Sequence, residues 1–566
     1  MTPAPLVPPF ATRVLRGFVV AGSIALAFLF VYVVVARFAV PIELEWMCGS
    51  VLDHVERIAL GKPIYVAPSA EWIPFLYTPL YYWVCAPLAR AMPAMIACRL
   101  VSIAATLASS ALVWRLARRL GATRFWSLVA VGCFYGAYSF TGYWYDLERP
   151  DSLSMAMVLA GVWVAIEWTG VASAAVAGAL LGLSFYAKQQ SLIVAVAAGV
   201  GLAVSGQRRR ALVFALGAGL GLVPLFVWLH GATGGWFDFY GVEMGRAHGI
   251  DLSLWNGFFL VDLSSAFLLA SATAVMLAWL VRDLLLRPFA RERALGSARD
   301  ANLAVFALAL AAAFAAAASS RLHAGGYVNV LAVWSAFAGV AVAVTAAHAE
   351  RVAEARGAGA LVGAGLALAV VCQFAHFAYD PRDATPSSHA ELDARLVEKR
   401  VRELERSGEV LLWGRGHVTA QRHFHVMALI DVMRGGLGIP ETVASAIRER
   451  RYAAFVIDEW PELTLEGILG RRSELFDLVL SNYYVAERWD DRESDAVLGR
   501  RVHPTWVLEP RKRPIAGATF EELDRRRLVE AGLAEERMRR AQAGVPVPAS
   551  TPPIEQEAAA ILDGDR

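Results

Sequence analysis

Acidic and basic side chains recur at a few short connections of a chain that is otherwise strongly apolar. Grouped by connection, they are Glu43 and Glu45; Asp146, Arg149 and Asp151; Lys188; and Arg321 with His323 and Asn329. A carboxylate can take a proton from a hydroxyl group. A lysine or arginine beside it can stabilise the negative charge of a departing phosphate. The residue types therefore suit group transfer from a phosphate to a hydroxyl, provided that the fold brings the connections together.

Each of these residues also has a purely structural interpretation, which the residues alone leave open. An acidic residue at a helix end is often only solvated, and Asp151 can cap the helix that follows it. Lys188 can extend its ammonium group to a membrane interface, and Arg321 can anchor a helix end. Acids and cations recur at several turns between neutral apolar stretches, and this recurrence favours a functional site over these structural roles.

The elements that must position these residues are membrane-spanning helices. Of the 566 residues, 57% are hydrophobic and 18% are charged, and the mean hydropathy is +0.47. Soluble domains carry roughly 25% charged residues. Charge is sparse before Asp380 and dense after it. We therefore predict a polytopic α-helical membrane domain over 1–379, a small extracytoplasmic α/β domain over 380–519, and a charged helix with a disordered tail over 520–566.

Eleven stretches are apolar enough to cross a bilayer, which requires about 20 residues. They are 17–36, 94–113, 126–145, 152–169, 171–187, 190–206, 211–230, 258–281, 301–319, 328–347 and 359–378. This topology puts sixteen Lys and Arg residues on one side and seven on the other. The excess predicts a cytoplasmic N-terminus and an outer C-terminal domain, in a bacterial inner membrane. Residues 74–92 hold three prolines and three tyrosines, and we expect them to lie along the outer membrane surface.

The placement of charge also narrows the class of function. A net charge of +2 gives no indication of a nucleic-acid partner. Transporters and proton pumps usually carry ionisable residues within their spans and are often built from paired halves. Neither feature is evident in the sequence, which favours a site at the outer membrane surface. A transporter or flippase of a lipid-linked or polar solute is the alternative, and a polymerase or ligase of surface polysaccharide is a third possibility.

Five motifs follow one another over residues 10–380. They are Glu43-Leu44-Glu45 followed by a segment running to Gly61-Lys62-Pro63-Ile64-Tyr65; Tyr77-Thr78-Pro79-Leu80-Tyr81-Tyr82; Asp146 through Ser152; Lys188-Gln189; and Gly325-Gly326-Tyr327-Val328-Asn329. In these motifs the chain resembles the GT-C superfamily of polytopic glycosyltransferases. It specifically resembles the glycosyltransferase family 39 branch, which includes protein O-mannosyltransferases, lipid A aminoarabinose transferases and RgtA/B/C/D-like bacterial enzymes.

The resemblance implies an inverting transfer of a sugar from a polyprenyl-phosphate donor to a glycan, lipid or protein acceptor at the outer leaflet. It implies that Glu45 is the general base, with Glu43 as the second candidate, and that Asp146 and Asp151 orient the acceptor or the base. Lys188, Arg321 and Arg149 would bind the donor phosphate. Tyr77, Tyr81, Tyr82, His323 and Asn329 would line the substrate path. The family usually has aspartate where this chain has only glutamates, and a divalent cation on these carboxylates is left open.

The C-terminal region reads as alternating strands and helices. Strands are predicted at 409–413 and 452–458, with further short ones at 485–486 and 506–508, and helices near 389–406, 424–434, 441–450 and 464–474. No catalytic motif is evident there. His417, His423 and His425 are interpreted as polar loop residues rather than metal ligands.

Overall fold

The computed structural model describes residues 9–286, 298–323, 326–414, 424–458, 474–489, 498–499 and 504–515. Its contacts divide the chain into two units. The first comprises the described parts of 1–65, 76–387 and 497–500, and the second those of 66–75, 388–496 and 501–566. The division falls at Ser388, a few residues after the predicted boundary at 379. It also assigns residues 66–75 to the second unit, which the sequence gives no reason to expect.

The first unit is helical. Its helices are α1 (Pro9–Phe38), α2 (Cys48–Ala59), α3 (Leu80–Ala89), α4 (Ala94–Arg119), α5 (Arg124–Phe140), α6 (Asp151–Glu167), α7 (Val171–Ser184), α8 (Ser191–Val204), α9 (Arg208–Thr233), α10 (Phe267–Leu286), α11 (Ala298–Arg321), α12 (Ala332–Glu354) and α13 (Gly359–Phe377). Between α9 and α10 the chain makes short helical turns at Trp236–Asp238, Phe239–Glu243, Met244–Ala247, Leu252–Leu254, Gly257–Asp262 and Leu263–Ser265.

Each of the eleven predicted spans overlaps one of these helices, but the predicted span 258–281 begins nine residues before α10, in the short helical turns that precede it. Seven, namely α1, α4 and α9 to α13, are long and apolar enough to cross a membrane by length and composition, and the other four have 14 to 17 residues. The chain is a multi-pass membrane protein. The proline-rich segment 74–92 forms only the ten-residue α3. At 1.5 Å per residue, α3 is about 15 Å long, half the thickness of a bilayer core.

Side-chain contacts join the helix ends that the topology predicts to lie on the same side. Arg16 near the start of α1 pairs with Glu350 near the end of α12, and Glu350 also accepts from Trp126 Nε1 at the start of α5 (2.7 Å). Arg210 at the start of α9 donates to the carbonyl of Trp168 after α6 (2.7 Å). The alternating direction of the helices agrees with the predicted order of connections.

Helices α7 and α9 approach each other through glycines. Gly178 and Gly182 on α7 face the backbone of Phe214 and Ala218 on α9, and Gly217 and Gly221 face the backbone of Ala175 and Ala179 in return. A Cβ at any of the four glycines would collide with a backbone carbonyl. Two glycines spaced four residues apart on each helix give the close contact typical of helix pairs in membranes.

The second unit contains a four-stranded sheet. Its strands are β1 (Val410–Leu412), β2 (Ala454–Asp458), β3 (Tyr483–Arg488) and β4 (Pro504–Pro510), in the order β1-β2-β4-β3. β1 and β2 are parallel, and β4 is antiparallel to both of its neighbours. The helices are α14 (Ser388–Leu404), α15 (Val426–Val432, continued by a π turn, Met433–Leu437), α16 (Glu441–Arg448) and α17 (Glu474–Asn482). The predicted strands and the small α/β fold are confirmed.

Several predictions for the C-terminal region concern parts that the structure does not describe. His417, His423, most of the predicted helix 464–474 and all of 520–566 lie outside the described residues. His425 is described, and its side chain has a local structural role. It caps α15 by accepting from the backbone N–H of Met427 (3.1 Å), and its Nε2 lies 3.0 Å from the carbonyl of Gly414.

Candidate functional site

The connection between α5 and α6 is the centre of the candidate site. Each of its four charged side chains pairs with a different part of the first unit: Asp146 with Arg37 of α1, Glu148 with Arg99 of α4, Arg149 with Glu45, and Asp151 with Lys188 after α7. All eight residues except Lys188 are under 7% exposed. Removing one partner of a buried ion pair is costly, because the other charge is left uncompensated. The pairs therefore fix where these connections meet.

The position of Glu45 is set by Arg99, which lies one and a half turns into α4. Its guanidinium donates to four carbonyl groups between Arg37 and Ile42, at 2.8–3.1 Å. These bonds hold the chain that leaves α1 in a compact path across α4. The path ends at Leu44 and Glu45, both 1% exposed. The backbone carbonyl of Glu45 then accepts from the N–H of Cys48, the first residue of α2 (2.8 Å).

The carboxylate of Glu45 lies in a mixed polar and aromatic environment. Its Oε2 lies 3.4 Å from Nη1 of Arg149 and 3.7 Å from the thiol of Cys48. Arg149 in turn donates to the phenol oxygen of Tyr77 (2.5 Å). Burial raises the pKa of Glu45 above the ordinary value of a glutamate, and the positive charge of Arg149 opposes that rise. A carboxylate with a raised pKa beside a cation has the properties of a general base.

A second polar group forms around Asp151, the first residue of α6. Its Oδ1 accepts from Lys188 Nζ (2.6 Å) and from Asn329 Nδ2 (2.9 Å). Asn329 belongs to the turn before α12. Coulombic interactions of Asp151 with both Glu45 and Arg149 link the two groups. The connections after α1, α5, α7 and α11 thus contribute to one site.

A narrow cleft opens beside the Asp151 group. Its polar end is lined by Asp151, Lys188 and Asn329. The rest of the lining is mainly aliphatic, with Val158, Val194, Ala313, Ala316, Val330, Ala332 and Val333, and also includes the polar Ser154, Gln190 and Ser191. A cleft with a charged end and an apolar body suits a ligand that is part lipid and part polar headgroup.

Several buried polar atoms near Glu45 form no hydrogen bond within the described part of the chain. They are Nε and Nη1 of Arg149, Nε1 of Trp144, the hydroxyl of Tyr82 and Oδ2 of Asp151. Buried polar groups are normally hydrogen-bonded, and exceptions often mark functional sites. Three of these side chains present donors, so the region around Arg149 can bind an anionic or oxygen-rich ligand.

The structure places other predicted residues outside the two polar groups. Glu43 accepts from the N–H of Gly49 (3.0 Å) at the start of α2. Asp146 is held by Arg37 and by the hydroxyl of Tyr138 (2.8 Å). Tyr81 bonds to Ser102 (3.0 Å) and to the carbonyl of Cys98, and so fastens α3 to α4.

Arg321 is the last residue of α11, and His323 follows two residues later. Arg321 pairs with Asp262 in the turns before α10 (2.7 Å) and donates to the carbonyl of Gly326 (2.7 Å). His323 forms an isolated β-bridge with Ile250, and its ring lies 6.3 Å from that of His248. Gly325 lies outside the described residues. In this structure Arg321 is therefore paired with Asp262, whereas the resemblance implied that it binds the donor phosphate.

Sequence reasoning missed four residues that shape the site: Arg37, Arg99, Cys48 and Trp144. The expectation that the spans are neutral was wrong for Arg99, which lies within the predicted span 94–113 and is 1% exposed. An arginine inside an apolar span is itself a signal, because a charge there needs a buried partner. Cys48 and Trp144 carry no such signal, since neither residue is unusual in a membrane protein.

No group of three or more His, Cys, Asp or Glu side chains among the described residues is placed to hold a metal ion. The two carboxylates nearest the centre, those of Glu45 and Asp151, are paired with Arg149 and Lys188. The structure therefore offers no argument for a divalent cation at this site.

Comparison with known proteins gives structural neighbours only. No family model and no curated protein sequence matches the chain. Among solved structures, ArnT from Cupriavidus metallidurans bound to undecaprenyl phosphate is 13% identical, with a TM-score of 0.43 over 89% of this chain and 99% of ArnT. The oligosaccharyltransferase of Archaeoglobus fulgidus in complex with Zn and sulfate is 12% identical, with a TM-score of 0.47 over 82% of this chain and 71% of the other.

Proposed function

We propose that this protein is an integral membrane glycosyltransferase that moves a sugar from a polyprenyl-phosphate donor to an acceptor hydroxyl at the outer face of the membrane. The observation that carries the proposal is the pairing of Glu45 with Arg149 and of Asp151 with Lys188, side chains that come from three separate connections. Asp151 and Lys188 also line the polar end of a largely apolar cleft. A base, two cations and an apolar cleft are what transfer from a lipid-linked phosphate requires.

In the proposed reaction Glu45 accepts the proton of the acceptor hydroxyl as its oxygen attacks the anomeric carbon of the sugar. The bond between that carbon and the phosphate oxygen breaks, and polyprenyl phosphate leaves. The configuration at the anomeric carbon inverts, because the attack comes from the face opposite to the leaving group. The phosphate gains one negative charge as it leaves, so a cation beside it lowers the barrier.

Arg149 is the better placed of the two cations to receive that charge. Its Nε has no hydrogen-bond acceptor among the described residues, and its Nη1 lies 3.4 Å from Oε2 of Glu45 without forming a hydrogen bond, whereas Lys188 already donates to Asp151 at 2.6 Å. In this assignment Lys188 and Asn329 orient Asp151 and supply the polar end of the cleft. The aliphatic part of the cleft then accommodates the first isoprene units of the donor.

Glu45→Gln tests the proposal directly, because it keeps the size of the side chain and removes the base. The variant should lose about 10²- to 10⁴-fold in rate, the usual contribution of a general base. The measurement is the release of polyprenyl phosphate by purified protein in lipid vesicles, with a panel of polyprenyl-phosphate hexoses and pentoses as donors and a membrane extract as the source of acceptor.

Glu43→Gln is the matched comparison, since an amide oxygen can still accept from the N–H of Gly49. It should retain most of the activity. Undiminished transfer by Glu45→Gln would refute the assignment of the base. No transfer from any donor by the unmodified protein, together with uptake of a solute into vesicles that Glu45→Gln leaves unchanged, would favour a transporter.

A further inference from the structure

The connection between α9 and α10 exposes large apolar side chains in a segment that is not part of a membrane-spanning helix. The segment, residues 252–261, is an uncharged run between Asp251 and Asp262, and we call it the apolar loop. Four of its side chains are 50–71% exposed, namely Leu252, Trp255, Leu260 and Val261. Surfaces that face water rarely concentrate large apolar side chains in this way. The apolar loop therefore needs a partner that is itself apolar.

The two ends of the apolar loop are bound to the same short turn, which follows α11. At the first end, the backbone N–H of Asp251 donates to the carbonyl of Leu322 (2.7 Å). At the second end, Oδ2 of Asp262 accepts from Nε of Arg321 (2.7 Å). The exposed side chains thus belong to a segment whose ends are held in place by the protein.

The inner face of the apolar loop packs on the helical core. Phe258 is fully buried, and its ring lies 5.8 Å from that of Phe314 on α11. The turns Leu252–Leu254 and Gly257–Asp262 are a 3₁₀ and a π turn, which satisfy backbone groups within the segment. A chain that leaves water needs such internal hydrogen bonds. The apolar loop therefore has one face on the core and one apolar face directed outward.

The apolar loop continues the surface of a membrane-spanning helix. Helix α10 is long and apolar enough to cross a bilayer, and it begins at Phe267, six residues after Val261. Phe267 and Val275 on α10 are also exposed, as expected for side chains that lipid covers. Trp255 is of a residue type that is enriched where a chain meets the headgroup region. Lipid is thus the apolar partner that the neighbouring surface already has.

We propose that the apolar loop lies at the boundary between headgroups and acyl chains of the adjacent leaflet, with its four exposed apolar side chains among the acyl chains. Amphipathic segments at this boundary lie about 5–10 Å deep. The turn after α11, which binds both ends of the loop, is thereby held at a defined depth, and it leads to Asn329 of the candidate site. This placement requires only that the chain spans the membrane, and it holds for a transporter as well as for an enzyme.

Fluorescence quenching in lipid vesicles measures the depth. Leu260→Cys, in a Cys372→Ser background, is labelled with a nitrobenzoxadiazole dye, and the other four cysteines are buried. The vesicles contain phosphatidylcholine with a nitroxide on either the fifth or the twelfth carbon of an acyl chain. The dye should show blue-shifted emission and a greater loss of fluorescence with the shallow nitroxide than with the deep one. Leu252→Cys should give the same order, and it provides a second variant at an exposed position.

Two exposed positions elsewhere provide matched controls. Leu220→Cys lies in the middle of α9 and is lipid-facing if that helix spans the membrane, so the deep nitroxide should quench it more strongly. Glu441→Cys lies on α16 of the second unit, and neither nitroxide should quench it. The three profiles together separate a shallow location from a deep one and from water.

Three results would overturn the proposal. Emission like that of Glu441→Cys, without quenching, would place the apolar loop in water. Blue-shifted emission without quenching would mean that protein covers the loop, as in a contact with a second copy of the chain. Stronger quenching by the deep nitroxide would place the loop within a span, as predicted from the sequence for 258–281. None of these results would bear on Glu45, whose role is decided by Glu45→Gln.

Discussion

Arg149 is the residue on which the candidate site depends most. Its guanidinium lies against the carboxylate of Glu45, the phenol of Tyr77 and the faces of the Tyr77 and Trp144 rings, at 5.0 and 5.6 Å. The aromatic faces stabilise the buried cation without using all of its donors. A buried arginine with unused donors can therefore bind an anion and still keep Glu45 partly ionised.

The pKa of Glu45 gives a prediction about pH. Only the ionised form can accept a proton, and burial raises the pKa, so the transfer rate should fall on acidification with a midpoint above the ordinary range for glutamate. Arg149→Met removes the charge that opposes this rise. Its profile should therefore be half-maximal at a higher pH than that of the unmodified protein, in addition to any loss of maximal rate.

The measurement is a pH–rate profile of polyprenyl phosphate release, with each variant scaled to its own plateau. Glu71→Gln, an exposed carboxylate of the second unit, should give the profile of the unmodified protein. A midpoint that stays in place or moves to lower pH in Arg149→Met would show that another group controls the acidic limb.

At the scale of elements, Arg37 at the end of α1 and Arg99 near the start of α4 hold the connections between helices in place. Arg37 binds Asp146 and the carbonyls of Tyr143 and Ala384 (2.7 and 3.0 Å). Arg99 binds Glu148 and the chain that leaves α1. The acidic residues around the start of α6 thus have two roles: Asp146 and Glu148 hold the preceding connection in place, and Asp151 lines the cleft.

The contact between α7 and α9 gives a prediction about stability. Gly217 and Gly219 lie on the same helix, but a Cβ at Gly217 would collide with the carbonyl of Ala175, whereas nothing lies within 4 Å of one at Gly219. Gly217→Leu should therefore lower stability by ~1–3 kcal/mol, the usual cost of overpacking a helix contact. Gly219→Leu should cost far less.

The measurement is the unfolding temperature of each variant in detergent. Unfolding is monitored as the loss of the monomer peak on size-exclusion chromatography. Equal unfolding temperatures for Gly217→Leu and Gly219→Leu would mean that α7 and α9 do not pack through these glycines. The comparison matters for the site, because α7 leads directly to the turn that carries Lys188.

At the scale of the whole molecule, the predicted topology places all residues of the candidate site on the side opposite to the N-terminus. Lys62→Cys, after α2, should then react with a membrane-impermeant maleimide from the outside of intact cells. Arg208→Cys, at the first residue of α9, should react only after the membrane is permeabilised. Both positions are exposed, and Cys372, the exposed native cysteine, is replaced by serine in both variants.

Protection of Lys62→Cys in intact cells, or reaction of Arg208→Cys there, would reverse the topology. A site facing the cytoplasm would rule out transfer at the outer leaflet, whatever the geometry of Glu45. Labelling of the Cys372→Ser background itself should be absent in both conditions, since the other four cysteines are buried.

The sequence by itself determined the eleven apolar helices, the strands of the C-terminal unit and the connections that carry the ionisable residues. Hydropathy and charge are enough for this, because apolar helices must cross the bilayer and charged connections must leave it. It also indicated Glu45, Arg149, Asp151, Lys188 and Asn329, which share the candidate site. It could not separate Asp151 from Asp146 or Glu45 from Glu43, since each pair has the same chemistry and lies on the same connection.

Only the tertiary structure decided which carboxylate faces which cation. Arg37 forms an ion pair with Asp146, and Arg99 forms one with Glu148. Arg149 pairs with Glu45. The structure alone also brought Gly499 to Glu45 from the far end of the chain. Such contacts join residues remote in sequence through shape and the pairing of buried charges. No local pattern encodes them, because each depends on the packing of every helix between the two residues.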